Sequence, residues 1–258
     1  METLLVEIKD GIATVTLNRP DKRNALSPLM LTELRSAFEQ LGADDTVKVV
    51  ILQANGTVFC AGADLGYLQQ VSEYSVLENL SDSRHLQQAF HTIYTCPKPT
   101  IAKVHGAAIA GGCGLATLCD FNIASDSKAR FGYYEVKIGF IPAVVSVYLL
   151  RKIGDTRARR LLLSAETINA TEAERLGLIT HVVPHEQLDA TVQSLAGQLS
   201  ANSSSSMALT KAMLDNLHGM DMDAGLRYAA TMNTLTRMTE DCKQGIQSFL
   251  QPTKGTDS

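Results

Sequence analysis

The amino-acid sequence predicts an α/β fold followed by a helical C-terminal region. Apolar runs typical of strands alternate with helical segments as far as Val144, and the chain beyond this point is mostly helical. Strands that alternate with helices favour a sheet with right-handed crossover connections. Two corners of small residues follow apolar strands, AGA at 61–63 (the first corner) and GG at 111–112 (the second corner). We expect both strands in one sheet, with the corners at the edge where such sheets bind ligands.

The chain begins with a predicted hairpin and helix. Strands at 4–9 and 12–18 are joined by Asp10-Gly11, a dipeptide that favours a tight turn. Ser27 is the expected N-cap, and Pro28 the first residue, of a helix that runs to about Leu41. Apolar residues at spacings of three and four give this helix a buried face, formed by Leu31, Leu34, Phe38 and Leu41.

The remaining elements are predicted from apolar runs, prolines and caps. The strands lie at 47–54, which we expect to be buried on both faces, and at 100–105, 121–124, 129–132 and 179–183. The helices are a long polar region before Pro97 and segments at 115–119, 207–217 (with Ser206 as N-cap), 224–238 and 241–250, before a tail from Pro252. The prediction is an α/β core at 1–200 and a helical region at 201–258. The helical region has apolar faces suited to subunit packing, with residues such as Leu226, Tyr228, Met232 and Leu235.

Composition excludes several classes of function. The 258 residues carry a net charge of -4, which gives no general attraction for nucleic acid or anionic membranes. The basic run Arg151–Arg160 is a local exception, either a solvated helix face or part of a phosphate-binding rim. Five cysteines without a CxxC pair, and histidines without ligand spacing, predict reduced thiols and no metal site. With neither a signal peptide nor an apolar stretch of about 20 residues, we expect a cytoplasmic protein with no membrane or nucleic-acid partner.

The second corner has two explanations when it is considered alone. It is a tight turn that needs glycine for steric reasons, or a site where backbone N–H groups hold an anion. Two amides from separate corners, aimed at one carbonyl oxygen, form an oxyanion hole. Such a hole stabilises an enolate or a tetrahedral anion by about 3 kcal/mol per donor.

Longer motifs show a resemblance to a known family. They are NRPDKRNAL at 18–26, FCAGADL at 59–65, KPTIAKVHGAAIAGGCGLATLCD at 98–120, ARFGYYEVKIGFIP at 129–142 and ATEAERLGLITHVVP at 170–184. The sequence resembles the enoyl-CoA hydratase/isomerase family, which has the crotonase fold. The resemblance implies a repeated ββα core, C-terminal helices that build a homotrimer or a dimer of trimers, and an acyl-CoA substrate. It implies no separate cofactor, because coenzyme A is part of the thioester substrate.

The resemblance also implies roles for individual residues. The amides of Ala63 and Gly111 would polarise the thioester carbonyl, and Glu135 would move protons. The loop with Asn24, Ala25 and Leu26 would curl around coenzyme A, and Arg23 would approach its phosphates. Ala61 of the first corner would also contact coenzyme A, as would the two residues that follow this corner, Asp64 and Leu65.

Three positions depart from the family pattern. Hydratases of the family carry a second glutamate where this chain has Gly114, which either makes room for a bulkier acyl group or allows close helix packing. Gly66 stands where the family often has a lysine, and Phe249-Leu250 is followed by Gln251 instead of basic residues. Both of these changes remove basic contacts to coenzyme A.

These observations lead to one prediction and two alternatives. The segment EVKIGFIP resembles the hydratase branch, so we predict water addition to a 2-enoyl-CoA with Glu135 as the sole acid and base. A single carboxylate also suits an enoyl-CoA isomerase that transfers a proton between two carbons. The missing carboxylate at 114 supports a third possibility, a non-catalytic homologue that binds acyl-CoA or associates with RNA, whereas Glu135 and the net negative charge oppose it.

Overall fold

The computed structural model describes residues 1–250, and within this range every side chain except that of Leu65. The strands are β1 (Leu4–Lys9), β2 (Ile12–Leu17), β3 (Val49–Ala54), β4 (Val58–Cys60), β5 (Thr100–Val104), β6 (Ala107–Ile109), β7 (Phe121–Ser125), β8 (Arg130–Gly132), β9 (Ile168–Asn169) and β10 (His181–Val183). The α-helices are α1 (Pro28–Ala43), α2 (Leu65–Val71), α3 (Val76–Tyr94), α4 (Gly111–Thr117), α5 (Ala143–Ile153), α6 (Asp155–Ser164), α7 (Ala170–Arg175), α8 (Leu188–Ser200), α9 (Ser204–Leu217), α10 (Met222–Met238) and α11 (Glu240–Leu250). The predicted α/β class with a helical C-terminal region is confirmed.

The larger sheet has six strands in the spatial order β1-β2-β3-β5-β7-β10. β1 and β2 form the predicted antiparallel hairpin, and the other neighbours are parallel. Asp10 and Gly11 both have positive φ, 51° and 77°, as a tight hairpin turn requires. Ser27 caps α1 by accepting a hydrogen bond from the Met30 N–H at 3.2 Å.

A second sheet was not predicted from the sequence. Its order is β4-β6-β8-β9, with parallel pairs except for β8 and β9. Of its strands only β8 was predicted, at 129–132. The other three have two or three residues each, too few for an alternating pattern to stand out. In three successive units the first strand joins the larger sheet and the second joins the smaller one: β3 with β4, β5 with β6, and β7 with β8. This arrangement is the repeated ββα core.

The second sheet corrects the expected placement of the two corners. β3 and β5 are neighbours in the larger sheet, as predicted. The corners, however, follow β4 and β6, which are neighbours in the smaller sheet. Their proximity is therefore a consequence of a pair of strands that sequence patterns did not reveal.

Three helix boundaries also differ from the predictions. α4 begins at Gly111 instead of Leu115, so the second corner forms the first turn of the helix. α9 begins at Ser204 with Ser203 as its N-cap, because the Ser203 hydroxyl accepts the Ser206 N–H at 3.1 Å. The polar region before Pro97 divides into α2 and α3, and the predicted tail from Pro252 lies outside the described residues.

Packing on both faces of the larger sheet forms the core. Val50 and Leu52 of β3 face the main apolar cluster, whereas Val49 and Ile51 face a smaller cluster that α8 covers. The prediction that this strand is buried on both faces is confirmed. Four of the five cysteines are buried free thiols, at positions 60, 96, 113 and 119. No helix within residues 1–250 is long and apolar enough to cross a lipid bilayer.

Candidate active site

The loop that precedes α1 is held by a buried asparagine. Asn24 is fully buried, and its Oδ1 accepts the Arg19 N–H at 2.8 Å. Its Nδ2 donates to the carbonyl oxygens of Asn55 and Val58 at 2.8 and 2.9 Å. These bonds stabilise the left-handed backbone at Asn24, whose φ is 52°. The Asn24 side chain is thus occupied inside the protein, and it shapes the loop predicted to surround coenzyme A.

The first corner is joined to this loop by a parallel bridge between Leu26 and Ala63. The Leu26 N–H donates to the Gly62 carbonyl at 2.7 Å, and the Asp64 N–H donates to the Leu26 carbonyl at 3.0 Å. In a parallel bridge these bonds use the peptide groups on either side of Ala63, so the N–H of Ala63 itself points away from the loop. Ala63 is exposed. Its amide therefore faces the open side of the corner.

The two corners are in van der Waals contact at Gly62. This glycine has a φ of +91°, and a Cβ there would lie 3.0 Å from both the Ala110 Cβ and the Ile109 carbonyl oxygen. The same position is 3.7 Å from the amide nitrogen of Gly111. Only glycine allows this approach. The first corner therefore lies directly beside the amide of the second.

The second corner is both a steric turn and a source of an amide. A Cβ on Gly112 would lie 2.3 Å from the Cys60 carbonyl oxygen, so this glycine is needed for close packing. Ala110 has a φ of 51°, and its N–H donates to the Gly132 carbonyl at 2.7 Å. Gly111 is the first residue of α4, and a first-turn N–H has no partner within its helix. Of the two explanations for the glycine pair, Gly112 fits the steric one and Gly111 fits the anion site.

Glu135 lies at the start of a short 3-10 helix, Glu135–Ile138, that follows β8. Its side chain is half-buried, and Oε2 is buried without a hydrogen-bond partner among residues 1–250. Burial raises the pKa of this carboxyl above its ordinary value. Its charge also reaches α4, because burial and, to a smaller degree, the Glu135 carboxylate raise the pKa of the Cys113 thiol to about 12. The Oε2 atom of Glu135 is thus an acid or base oxygen that no other group among residues 1–250 engages.

Gly114 is surrounded by side chains from two other helices. A Cβ at this position would lie 2.3 Å from the Val145 Cγ1 and 3.2 Å from the Phe90 Cε2. Val145 itself is only 5% exposed. Of the two explanations for this glycine, the structure supports close helix packing. The stem of a second glutamate would collide with Val145.

The aspartates of the two motifs hold the backbone in place. Asp64 is the N-cap of α2, accepts the Gly66 N–H at 3.0 Å and forms an ion pair with Arg19 at 3.0 Å. Asp120 accepts the N–H and hydroxyl of Thr100 at 2.8 and 2.9 Å and pairs with Lys211 of α9 at 2.7 Å. Both oxygens of Asp64 and the Oδ2 of Asp120 are thus engaged within the protein. A contact between Asp64 and coenzyme A stays a prediction, as do those of Ala25, Ala61 and Leu65.

The aromatic residues near Glu135 are mainly structural. The Tyr133 side chain is buried, and its hydroxyl lies 3.5 Å from the Thr117 hydroxyl. Tyr134 forms a short hydrogen bond with Thr167. Sequence patterns gave no signal for Tyr67 of α2, whose buried hydroxyl has no partner within the described residues.

The basic run Arg151–Arg160 was explained either as a solvated helix face or as part of a phosphate-binding rim. The structure supports the solvated face for only some of its residues. Arg159 and Arg160 are exposed and pair with carboxylates. Lys152, by contrast, points inward and donates to three oxygens at the end of α4 and the start of β7. An inward lysine inside a basic run has no signal in the sequence.

Known proteins are similar in sequence to this chain over nearly its whole length. The family model described as enoyl-CoA hydratase/isomerase matches residues 7–256. The chain belongs to the enoyl-CoA hydratase/isomerase family. A relative from Thermus thermophilus is 43% identical over 248 residues, which cover 96% of this chain and 98% of the relative. A crotonyl-CoA hydratase of Syntrophomonas wolfei is 34% identical, over 98% of this chain and 96% of that protein.

Solved structures agree with the enoyl-CoA hydratase/isomerase assignment. The crystal structure of an enoyl-CoA hydratase from Mycobacterium smegmatis is 32% identical, covers 96% of each chain and has a TM-score of 0.91. The predicted crotonase fold is thereby confirmed. The family acts on acyl-CoA thioesters, which agrees with the predicted class of substrate.

Proposed function

We propose that this chain adds water across the double bond of a 2-enoyl-CoA thioester. The main support is the contact between the two corners, which present the amides of Ala63 and Gly111. It is combined with the Oε2 atom of Glu135, which is buried and has no hydrogen-bond partner among the described residues. Donors of this kind act on the charge that develops at a carbonyl oxygen. The similarity to a crotonyl-CoA hydratase supports hydration as the reaction.

The proposed mechanism has one carboxylate and two amides. The Glu135 carboxylate takes a proton from water while the water oxygen forms a bond to C3 of the substrate. The double-bond electrons move toward the thioester, and the Ala63 and Gly111 N–H groups donate hydrogen bonds to the resulting enolate oxygen. Glu135 then gives its proton to C2, and the thioester carbonyl forms again. All atoms of water are in the 3-hydroxyacyl product, and Glu135 is ionised once more.

The raised pKa of Glu135 sets the direction of the pH dependence. Glu135 must be ionised in order to accept the first proton. Because burial raises its pKa above 4.5, kcat/KM should rise with pH through a value above 4.5. Measurement of kcat/KM from pH 4.5 to 8 checks this expectation. An acid limb that persists in Glu135→Gln would contradict it, since that limb would belong to another group.

One observation favours isomerisation as a second candidate function. Val145 fills the space next to Gly114 where a second carboxylate would stand. With a single base, Glu135 would remove a proton from C2 of a 3-enoyl-CoA and return it to C4. The same two amides would hold the enolate between these steps. The two reactions differ in whether water enters the product.

A product assay separates these functions. The pure protein is incubated with crotonyl-CoA and with a 3-enoyl-CoA, and products are identified by absorbance of the conjugated thioester and by mass. We expect crotonyl-CoA to gain the mass of one water. Migration of the double bond without hydration would overturn the first proposal and support the second. Tight binding without turnover of either substrate would indicate the non-catalytic alternative.

We propose a homotrimer or a dimer of trimers as the assembly. The support is the first part of α10, where Met222 and Leu226 lie one turn apart on the same side of the helix and are 78% and 62% exposed. Exposed apolar residues that recur on one helix are typical of subunit interfaces. Light scattering coupled to gel filtration measures the assembly, and a monomer mass would contradict it.

A further inference from the structure

Lys152 lies near the C-terminal end of α5 and makes three hydrogen bonds with its amine. The Nζ atom donates to the carbonyl oxygens of Thr117 and Cys119 at 2.8 and 3.2 Å. It also donates to the Asn122 Oδ1 at 2.6 Å. These acceptors belong to the end of α4, the turn after it and the start of β7. Lys152 is therefore a junction between three parts of the core.

The three acceptors match an ammonium group and not a neutral amine. An ammonium has three donors and no acceptor. A neutral amine has two hydrogens and one lone pair, and this lone pair would face one of the three oxygens. The carbonyls at the end of a helix lack partners within the helix, so the ammonium satisfies acceptors that would otherwise be buried without one. Asn122 contributes to the same end of α4, because its Nδ2 donates to the Ala116 carbonyl at 2.6 Å.

α5 restrains α4 at two separate points. Val145 packs against Gly114 in the middle of α4, and Lys152 binds its C-terminal end. At the other end of α4, Gly112 packs against the Cys60 carbonyl with no room for a Cβ. α4 has seven residues, so its two ends are about 10 Å apart. The Gly114 N–H donates to the Ala110 carbonyl and the Leu118 N–H donates to the Gly114 carbonyl, each at 3.1 Å, so hydrogen bonds connect the two ends. We therefore expect a shift at the C-terminal end to displace the amide of Gly111.

We propose that Lys152 is a positioning residue for the oxyanion donors. Its ammonium holds α4 in the place where the Gly111 N–H stays aligned with the Ala63 N–H. This inference rests on the proposed function, since the alignment matters for an enolate held by both amides. Lys152 does not touch the substrate, and it acts through the position of α4.

Among Lys152 and the titratable groups that face it, only the Lys152 amine has a pKa just above neutral pH. From α4 and the turn after it, Cys113, Cys119 and Asp120 face the amine. Burial raises the pKa of both thiols to about 12, and Asp120 pairs with Lys211 at 2.7 Å. Burial lowers the pKa of Lys152 to about 8. Loss of its proton removes one of three donors and loosens the end of α4.

Substitution of Lys152 tests the proposal. We expect kcat of Lys152→Met to fall about tenfold to a hundredfold, somewhat less than the loss of an entire oxyanion donor. KM should stay within about threefold, because the donors act on the transition state. Lys152→Arg keeps the charge and should recover most of kcat. Lys128→Met, which removes the charge of an exposed lysine, is the control and should match the wild type.

The outcomes separate this inference from the proposed function. A folded Lys152→Met with kcat within twofold of the wild type, while Glu135→Gln is inactive, would overturn the positioning role alone. A rise in KM with unchanged kcat would overturn it as well. A wild-type protein without turnover of enoyl-CoA substrates would overturn the proposed function instead.

The wild-type pH profile decides the matter if Lys152→Met does not fold. At saturating substrate, kcat should decrease above about pH 8, while circular dichroism shows that the protein stays folded. In Lys152→Arg this alkaline limb should move upward by at least one pH unit, because arginine keeps its proton. A wild-type kcat that stays constant up to pH 9.5 would overturn the proposal.

Discussion

The amide half and the carboxylate half of the candidate site are built in different ways. The amide half consists of backbone, and its position is set by glycines that contact neighbouring backbone and by the bridge between Leu26 and Ala63. The carboxylate half consists of a single side chain, Glu135, whose Oε2 has no partner within the described residues. In the proposed mechanism, steric constraints of the fold determine where the enolate is stabilised. Glu135 determines how protons move, because position 114 is a glycine and supplies no second carboxylate.

The carboxylate half should show the largest effect. Glu135→Gln keeps the shape of the side chain and removes its ability to take a proton. We expect kcat to fall by about 10²–10⁴, the usual contribution of a general acid or base. The matched control is Glu186→Gln, an exposed glutamate that loses the same charge. Steady-state kinetics of both variants checks the prediction, and full activity in Glu135→Gln would disprove the mechanism.

Gly112→Ala is the corresponding test of the amide half. Its Cβ would meet the Cys60 carbonyl at 2.3 Å, and a backbone atom cannot rotate away. We expect about 1–3 kcal/mol less stability, together with a lower kcat, because α4 must shift. Gly197→Ala in α8 is the control, since a Cβ there meets nothing within 4 Å and alanine favours a helix.

Denaturant unfolding and kinetics of the two alanine variants measure the difference. The control should be as stable as the wild type or up to about 1 kcal/mol more stable. If Gly112→Ala behaved like Gly197→Ala, the amide half would not depend on close packing of the corners.

The contact between Gly114 of α4 and Val145 of α5 leaves no room for a second carboxylate opposite the first. Gly114→Glu alone should be destabilised by about 1–3 kcal/mol, since its Cβ collides with Val145. Adding Val145→Ala should recover part of this loss, with a coupling free energy of about 0.5–3 kcal/mol. The paired variant should also raise the ratio of hydration to isomerisation, because a second carboxylate can hold water.

Thermal unfolding and product ratios of the single and paired variants test this connection. Val147→Ala is the control partner, because Val147 lies on the same helix with half of its surface exposed. Equal recovery by Val147→Ala would show that direct contact between positions 114 and 145 is not the cause.

The smallest effect is expected at Arg23, outside both halves. Arg23 is exposed on the loop predicted to approach the phosphates of coenzyme A. An exposed ion pair contributes up to about 1 kcal/mol, so Arg23→Ala should raise KM about fivefold and leave kcat unchanged. A thioester of N-acetylcysteamine lacks the phosphates, and KM for it should be the same in both proteins. A rise in KM for both substrates would contradict the phosphate contact.

The same contrast explains what could be predicted from the sequence. Local signals were sufficient for the hairpin at Asp10-Gly11 and for the start of α1 at Ser27 and Pro28. The contacts of the site between distant segments were not predictable in this way. The smaller sheet has strands too short for a pattern, and the contact of Gly114 with Val145 joins two helices that no motif connects.

Lys152 illustrates the limit most clearly. In the sequence it is one of several basic residues in a run that is typical of an exposed helix. In the structure its position in α5 directs it toward the end of α4, where three oxygens face it. Which residue of such a run points inward depends on how the helix is rotated about its axis relative to the elements it packs against. The pattern of apolar and charged residues in the run does not determine this rotation.

Product analysis in oxygen-18-labelled water tests most directly whether Glu135 of this chain adds water to an enoyl-CoA. The wild type and Glu135→Gln are incubated with crotonyl-CoA, and the thioester products are analysed by mass spectrometry. The wild type should form a 3-hydroxyacyl-CoA that carries one labelled oxygen, and Glu135→Gln should form it at least about 100 times more slowly. A wild-type product without labelled oxygen, or an equal rate in the two proteins, would show that Glu135 does not catalyse hydration.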